Sequence, residues 1–179
     1  MKEAVLKVYE KILGLKRLKR TGWIQRGIPD PESVAAHSYA VALLSIILAY
    51  IRGINPADAA LIALIHDLPE ADTGDLTPQM KKNAENLSEL ELQAIKKLAE
   101  AVPEPAASKI LEAWTRYREG SDAAARLVRA VDKLEMGLQA LAYIRGGHPE
   151  ASEIYESALK EVEDDELRSI LREAAGELT

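Results

Sequence analysis

The sequence predicts an all-α protein, and three observations carry that expectation. Apolar residues recur at the three- and four-residue spacing of amphipathic helices through almost the whole chain. Proline, glycine, asparagine and serine stand where such segments would start and stop. No segment alternates apolar and polar residues over the about four to eight positions of a half-buried strand. With 179 residues and 47% hydrophobic content, the chain has the size of one domain and reads as a single unit.

Residues 2 to 20 place Val5, Tyr9, Ile12 and Leu13 on one face of a first helix, which Gly22 and the Gly27-Ile28-Pro29 run break. Asp30-Pro31 offers a cap followed by a first-turn proline, opening a second helix to about Arg52, where Gly53 ends it. Asn55-Pro56 repeats that chemistry, with Asp58 in the first turn. The third helix so begun carries Leu61, Ile62, Leu64 and Ile65 toward His66, and Pro69 ends or kinks it.

Residues 71 to 86 read as a loop with one short helical turn. Ser88 and Glu91 form a capping-box pair for a helix to about Val102, and Pro103 to Pro105 head another through Trp114. A long helix of about residues 122 to 145 stops at Gly146-Gly147. Two amphipathic helices, near 149 to 163 and 165 to 177, end the chain. Their apolar faces would cover the core or pair in a homodimer.

Composition removes several classes. There is no cysteine, so any metal must be held by histidine and carboxylate. The N-terminus alternates charge with apolar residues and lacks the pattern of a secretory signal, and the apolar stretch from Tyr39 to Ile51 is shorter than the roughly 20 residues of a membrane span. A cytoplasmic protein with no membrane partner is expected. The net charge of -6 argues against binding a nucleic-acid polymer.

Of three histidines, two lie in otherwise apolar helical segments: His37 in VAAHSYAVALL and His66 in LIALIHDLPE. Asp67 follows directly, and Asp132 sits between apolar neighbours in RLVRAVDKLEM. A lone histidine of this kind is more often a satisfied core residue. A buried aspartate is harder to dismiss, because a carboxylate out of water must be paired or bound to metal. Two imidazoles and two carboxylates suit Mn, Fe, Co, Ni or Zn.

The order His37, His66-Asp67, Asp132 resembles the H…HD…D signature of the HD-domain metal-dependent phosphohydrolases. RTGWIQRGIPDPESVAAHS, HDLPEADTGDLTP and VDKLEM, spread over about residues 13 to 145, resemble the YfbR-like 5'-deoxynucleotidases in order and spacing. That resemblance implies a helical HD bundle and hydrolysis of a deoxyribonucleoside 5'-monophosphate, with a divalent ion, Mg included, held by His37, His66, Asp67 and Asp132. It implies a proton-transfer role for Glu70, and for Asp67 a place in the catalytic centre. Asp75 would lie near the sugar and Trp23 would take part in substrate selection.

The basic segment from Lys16 to Arg26 supplies a local positive field, in which Arg20 and Arg26 are the candidates for phosphate. The family's arginine directly before the tryptophan is Gly22 here, leaving Arg20 as the nearest. His148 reads as a surface cap, and Glu135 and Lys133 as outer neighbours of the centre or as an ordinary charged helix face. Other HD phosphohydrolases, acting on ribonucleotides, triphosphates, cyclic dinucleotides or alarmones, are the alternative; HDLPEA has Ala71 where alarmone hydrolases carry a second acid. A non-catalytic nucleotide sensor ranks below both, since neither the ligand set nor Glu70 is missing.

Overall fold

A computed structural model describes residues 1 to 176, and among them there is no strand, only an isolated antiparallel bridge between Lys19 and Ser33. Helices α1 (Lys2–Arg17) and α2 (Thr21–Ile24) are followed by α3 (Val34–Arg52) and α4 (Pro56–Ile65). Two short helices, α5 (Glu70–Thr73) and α6 (Pro78–Asn83), lead to α7 (Leu87–Glu100) and α8 (Ala106–Glu119). The long α9 (Ala123–Arg145), a 3-10 turn (Pro149–Ala151), α10 (Ser152–Glu161) and α11 (Asp165–Gly176) complete it. The all-α expectation holds.

α9 is the axis. α3 and α4 form a hairpin that packs on one side of it, and α10 and α11 pack on another. The main core collects Val41, Ile62, Val128, Val131, Leu134, Leu167 and Leu171, all at or below 2% exposure. A second cluster, Leu15, Val34, Leu68, Ile95, Leu98 and Trp114, lies under α1 and α7. Each such side chain adds about 1.5–3 kcal/mol of burial. The last two helices therefore spend their apolar faces on the core, through Ala158, Val162, Leu167 and Leu171.

Several boundaries differ from the sequence expectation, each for a local reason. The second helix starts at Val34, because Ser33 accepts from the Ala36 N–H, and Asp30-Pro31 lies in the bend and loop before it. Asn55 caps α4 as expected, accepting from Ala57 and Asp58. The cap of α7 is Asn86 in a left-handed conformation; Ser88 lies inside the helix and Glu91 is buried against Arg118 at 2.7 Å. α4 ends at Ile65 with His66 as its C-cap, and Pro69 caps a new helix, so Glu70 does not continue the His66 helix.

In α1, Val5, Tyr9 and Ile12 face solvent, and Leu15 with Val8 makes the contact instead. Gly14 lies on the same inward side, facing Ala71, where a Cβ would stand at an ordinary contact distance of 3.4 Å from the Ala71 Cβ. α3 is long and apolar enough to cross a bilayer by length and composition, which the stretch from Tyr39 to Ile51 alone is not. Its inner side packs on α4 and α9 and buries His37, Ser38 and Ser45. Residue 177, the expected end of the last helix, lies outside the described residues.

Candidate active site

Three core helices bring the expected ligands together. His37 shares the inward side of α3 with Val34 and Val41 and is fully buried. Its Nδ1 meets Glu135 Oε2 on α9 at 2.5 Å. A carboxylate there holds the proton on Nδ1 and leaves the Nε2 lone pair free. His66 caps the C-terminus of α4 and donates from Nδ1 to the Ala63 carbonyl at 2.6 Å, which again frees Nε2.

Both Nε2 atoms are buried and neither has a hydrogen-bond partner. Leaving two such acceptors unsatisfied costs on the order of 1–3 kcal/mol each. They look into one space: the ligand atoms of His37, His66 and Asp132 lie within 4.8 Å of one another. Asp67 Oδ2 joins them, 3.2 Å from His66 Nε2 and 3.7 Å from His37 Nε2. His37 Nε2 comes within 3.2 Å of Asp132 Oδ1 without forming a hydrogen bond to it, as two ligands of one ion would. Two orphaned imidazole nitrogens with two carboxylates fit a divalent cation.

The charges say the same. Burial pushes the Asp67 carboxyl up, but His66, His37 and Arg20 override it and hold Asp67 well below the usual carboxylate range. Asp132 is likewise held down, against burial, by Lys133 and the two histidines. Burial and Arg20 lower the His37 pKa; the Asp132 and Glu135 carboxylates beside its ring outweigh them and carry it up to about 10. Burial, with the Asp67 and Asp75 charges, pushes Glu70 up to about 9.

Above the ligands opens a cavity of about 570 Å³, lined by Arg20, Trp23, Arg26, His66, Asp67, Glu70, Asp75 and Asp132 among others. Glu70 is 5% exposed; its Oε1 lies 3.5 Å from Lys81 Nζ and its Oε2 has no partner. Arg20 reaches toward Asp67 Oδ2 at 3.4 Å and Asp75 Oδ1 at 3.8 Å. Asp75 follows Gly74, whose φ of +80° turns the chain inward, and it accepts the Thr21 N–H while its carbonyl takes the Thr21 hydroxyl at 2.7 Å. It therefore anchors the Arg20 segment as well as facing the cavity.

Trp23 is a wall, 1% exposed. Its ring packs edge-on against Tyr143 at 5.0 Å, and its indole N–H donates to Glu32 at 3.0 Å. Arg26 ties the same segment down through the Gly22 carbonyl and Glu153, both at 3.0 Å. His148 precedes the 3-10 turn but makes no side-chain cap.

Tyr117 escaped sequence reasoning. It donates to Asp132 Oδ2 at 2.9 Å, and its ring lies 5.0 Å from that of His66. Lys81 and the Arg118–Trp114 stack, 5.5 Å to the ring centroid, were also missed; they come from α6 and α8, whose sequences show only ordinary amphipathic faces. Glu135 is no surface residue, and Lys133 stands 3.3 Å from Asp132 Oδ2.

The family model described as the HD domain matches residues 12–175. The human 5'-deoxynucleotidase HDDC2 is 35% identical over 129 residues, 72% of this chain, and the chain spans 63% of that relative's length. Its Dictyostelium discoideum counterpart is 36% identical over 146 residues, 77% of each chain. Among solved structures, the PH0347 protein of Pyrococcus horikoshii OT3 superposes with a TM-score of 0.78 at 32% identity, covering 97% of this chain and 98% of that one. The match, the shared architecture and the gathered ligands agree: the chain belongs to the HD-domain family.

Proposed function

We propose that the chain is a metal-dependent phosphomonoesterase that hydrolyses deoxyribonucleoside 5'-monophosphates to deoxyribonucleoside and phosphate. The observation that carries this reading is the pair of buried, partnerless Nε2 atoms facing two carboxylates at the base of a cavity of about 570 Å³. That volume suits a small ligand such as a nucleotide. Relatives named 5'-deoxynucleotidase support the substrate class.

His37, His66, Asp67 and Asp132 would hold the ion, and Glu135, Ala63 and Tyr117 orient three of them. When bound, a divalent ion polarises a phosphoryl oxygen and lowers the pKa of water. Arg20 and Lys81 place positive charge where the phosphate would enter. Glu70 Oε2 faces the cavity with a proton to give, suited to the departing 5' oxygen. Asp75 holds the Arg20 segment at the sugar side, and Trp23 sets the width of the cavity from within its wall.

Phosphate release from deoxy- and ribonucleoside mono-, di- and triphosphates, under Mn, Co, Mg and Zn in turn, tests the proposal. Release from deoxyribonucleoside monophosphates is expected. His66→Ala should lose both ion and activity. Glu70→Gln should keep the ion and lose about 10²–10⁴-fold in turnover. No release from any monophosphate under any ion would end this reading, and cleavage of triphosphates alone would redirect it.

A further inference from the structure

Glu32 stands between α2 and α3, one residue before the Ser33 cap, and three of its groups are engaged around the Trp23 wall. Its carbonyl accepts the Arg20 N–H at 3.1 Å, its carboxylate accepts the Trp23 indole N–H at 3.0 Å, and its own N–H donates to the Tyr143 hydroxyl at 2.8 Å. Tyr143 in turn packs its ring edge-on against Trp23.

The same carboxylate reaches toward the proposed ion site. An oxygen of Glu32, a ring nitrogen of His37 and an oxygen of Glu135 lie within 4.8 Å of one another. Two carboxylates this close repel, and each has a donor of its own: His37 Nδ1–H for Glu135 and the indole N–H for Glu32. Glu32 is not among the residues lining the cavity.

We infer that Glu32 is a positioning residue for substrate selection: by holding the Trp23 indole beside the His37–Glu135 pair, it fixes how far the cavity wall stands from the ligands. An indole has a single polar atom, a donor, so one acceptor decides which way the ring turns. Asp75 and Arg26 hold the main chain of this segment, at Thr21 and Gly22; among the described residues, Glu32 alone bonds the indole. The inference rests on the proposed hydrolysis of nucleoside 5'-monophosphates and deepens it. In such a substrate the sugar is one ester bond from the phosphate, so a wall fixed relative to His37 meets the sugar before the base. A hydroxyl added at C2' must then displace a ring that its anchor holds still. Rejection of one added hydroxyl by a wall of this kind is on the order of 10²-fold.

The test compares kcat/KM for a deoxyribonucleoside 5'-monophosphate with that for its ribo counterpart, under Mn, in the native chain, Glu32→Gln and Glu32→Ala. Glutamine keeps an oxygen for the indole and should keep the native ratio. Alanine should lower the ratio by about tenfold or more, through a higher ribo value, with Mn still bound. By NMR, the Trp23 indole N–H, identified by its loss in Trp23→Phe, should exchange with water slowly in the native chain and in Glu32→Gln. In Glu32→Ala it should exchange about tenfold faster. A native chain without preference for the deoxy sugar, a native ratio in Glu32→Ala, or an equal loss for both sugars overturns the inference. So does a lowered ratio with unchanged indole exchange, because Glu32 would then act by another route. If Glu32→Ala does not fold, Glu32→Asp, whose carboxylate falls one methylene short of the indole, takes its place with the same expectations. A native chain that cleaves no monophosphate ends the proposed function by itself, and the exchange rates then decide whether Glu32 holds the wall.

Discussion

Without a cation on its Nε2 lone pair, His37 takes a second proton there, drawn by the Asp132 and Glu135 carboxylates. Against an unperturbed value of 6.5, its folded value of about 10 means that the proton stabilises the ion-free fold fully below pH 6.5 and that this contribution is lost as pH rises toward 10. A cation must displace that proton to reach Nε2, while Nδ1 keeps its own for Glu135. Affinity for Mn should therefore increase with pH between 6 and 8, by up to about tenfold per unit for one released proton. Calorimetric titration in buffers of different ionisation enthalpy measures both the affinity and the proton. Affinity flat with pH, and no proton released, would remove His37 from the ligands. Glu135→Gln should flatten the slope, because the residue that lifts the His37 proton loses its charge.

At the scale of elements, α9 meets α10 and α11 through a glycine that helix propensity alone would count as a flaw. Replacing Gly137 by alanine should gain about 1 kcal/mol in an isolated helix. Here the new Cβ would stand 2.7 Å from Leu171 Cδ2 and 3.1 Å from Ala158 Cβ. Leu171 is fully buried and cannot swing out, so overpacking, at about 1–3 kcal/mol, wins. Gly137→Ala should lower the urea midpoint, and combining it with Leu171→Ala should cost less than the two single losses added; additive losses would show that the crossing is loose. Helix existence was legible in the sequence because periodicity and caps are local, as Asn55-Pro56 shows. Boundaries were less so where two caps compete: Asp30 and Ser33 are both chemically able, and the backbone bonds Arg20 N–H to Glu32 and Val34 N–H to Leu18 select Ser33 by holding the chain extended up to it. Tyr117 could not be found, since its partner Asp132 is fifteen residues away on another helix.

For the whole molecule, the HD pair, His37 and Asp132 were readable as candidate ligands because each is a polar residue in an apolar context, but what they unite appears only in three dimensions. These proposed ligands come from α3, α4 and the turn after it, and α9, the same helices that hold the main core. The sequence of α3, apolar on every side, could not show that one stripe stays uncovered, because burial on all faces and burial on one look alike in composition. An ion held at this junction would bind the folded chain alone, and at a hundredfold excess over its Kd it would add about 2.7 kcal/mol. For a chain of this length each kcal/mol moves Tm by roughly 2–4 °C, so removing the ion with a chelator should lower Tm by about 5–10 °C, and Mn should restore it. Asp132→Asn keeps the side chain's shape and its contact with the Tyr117 hydroxyl but weakens the ion's hold, so its Tm should respond much less to chelator. Scanning calorimetry of both proteins, with and without chelator, makes the comparison; a native Tm indifferent to chelator, in a sample shown to carry metal, would place the ion outside this junction.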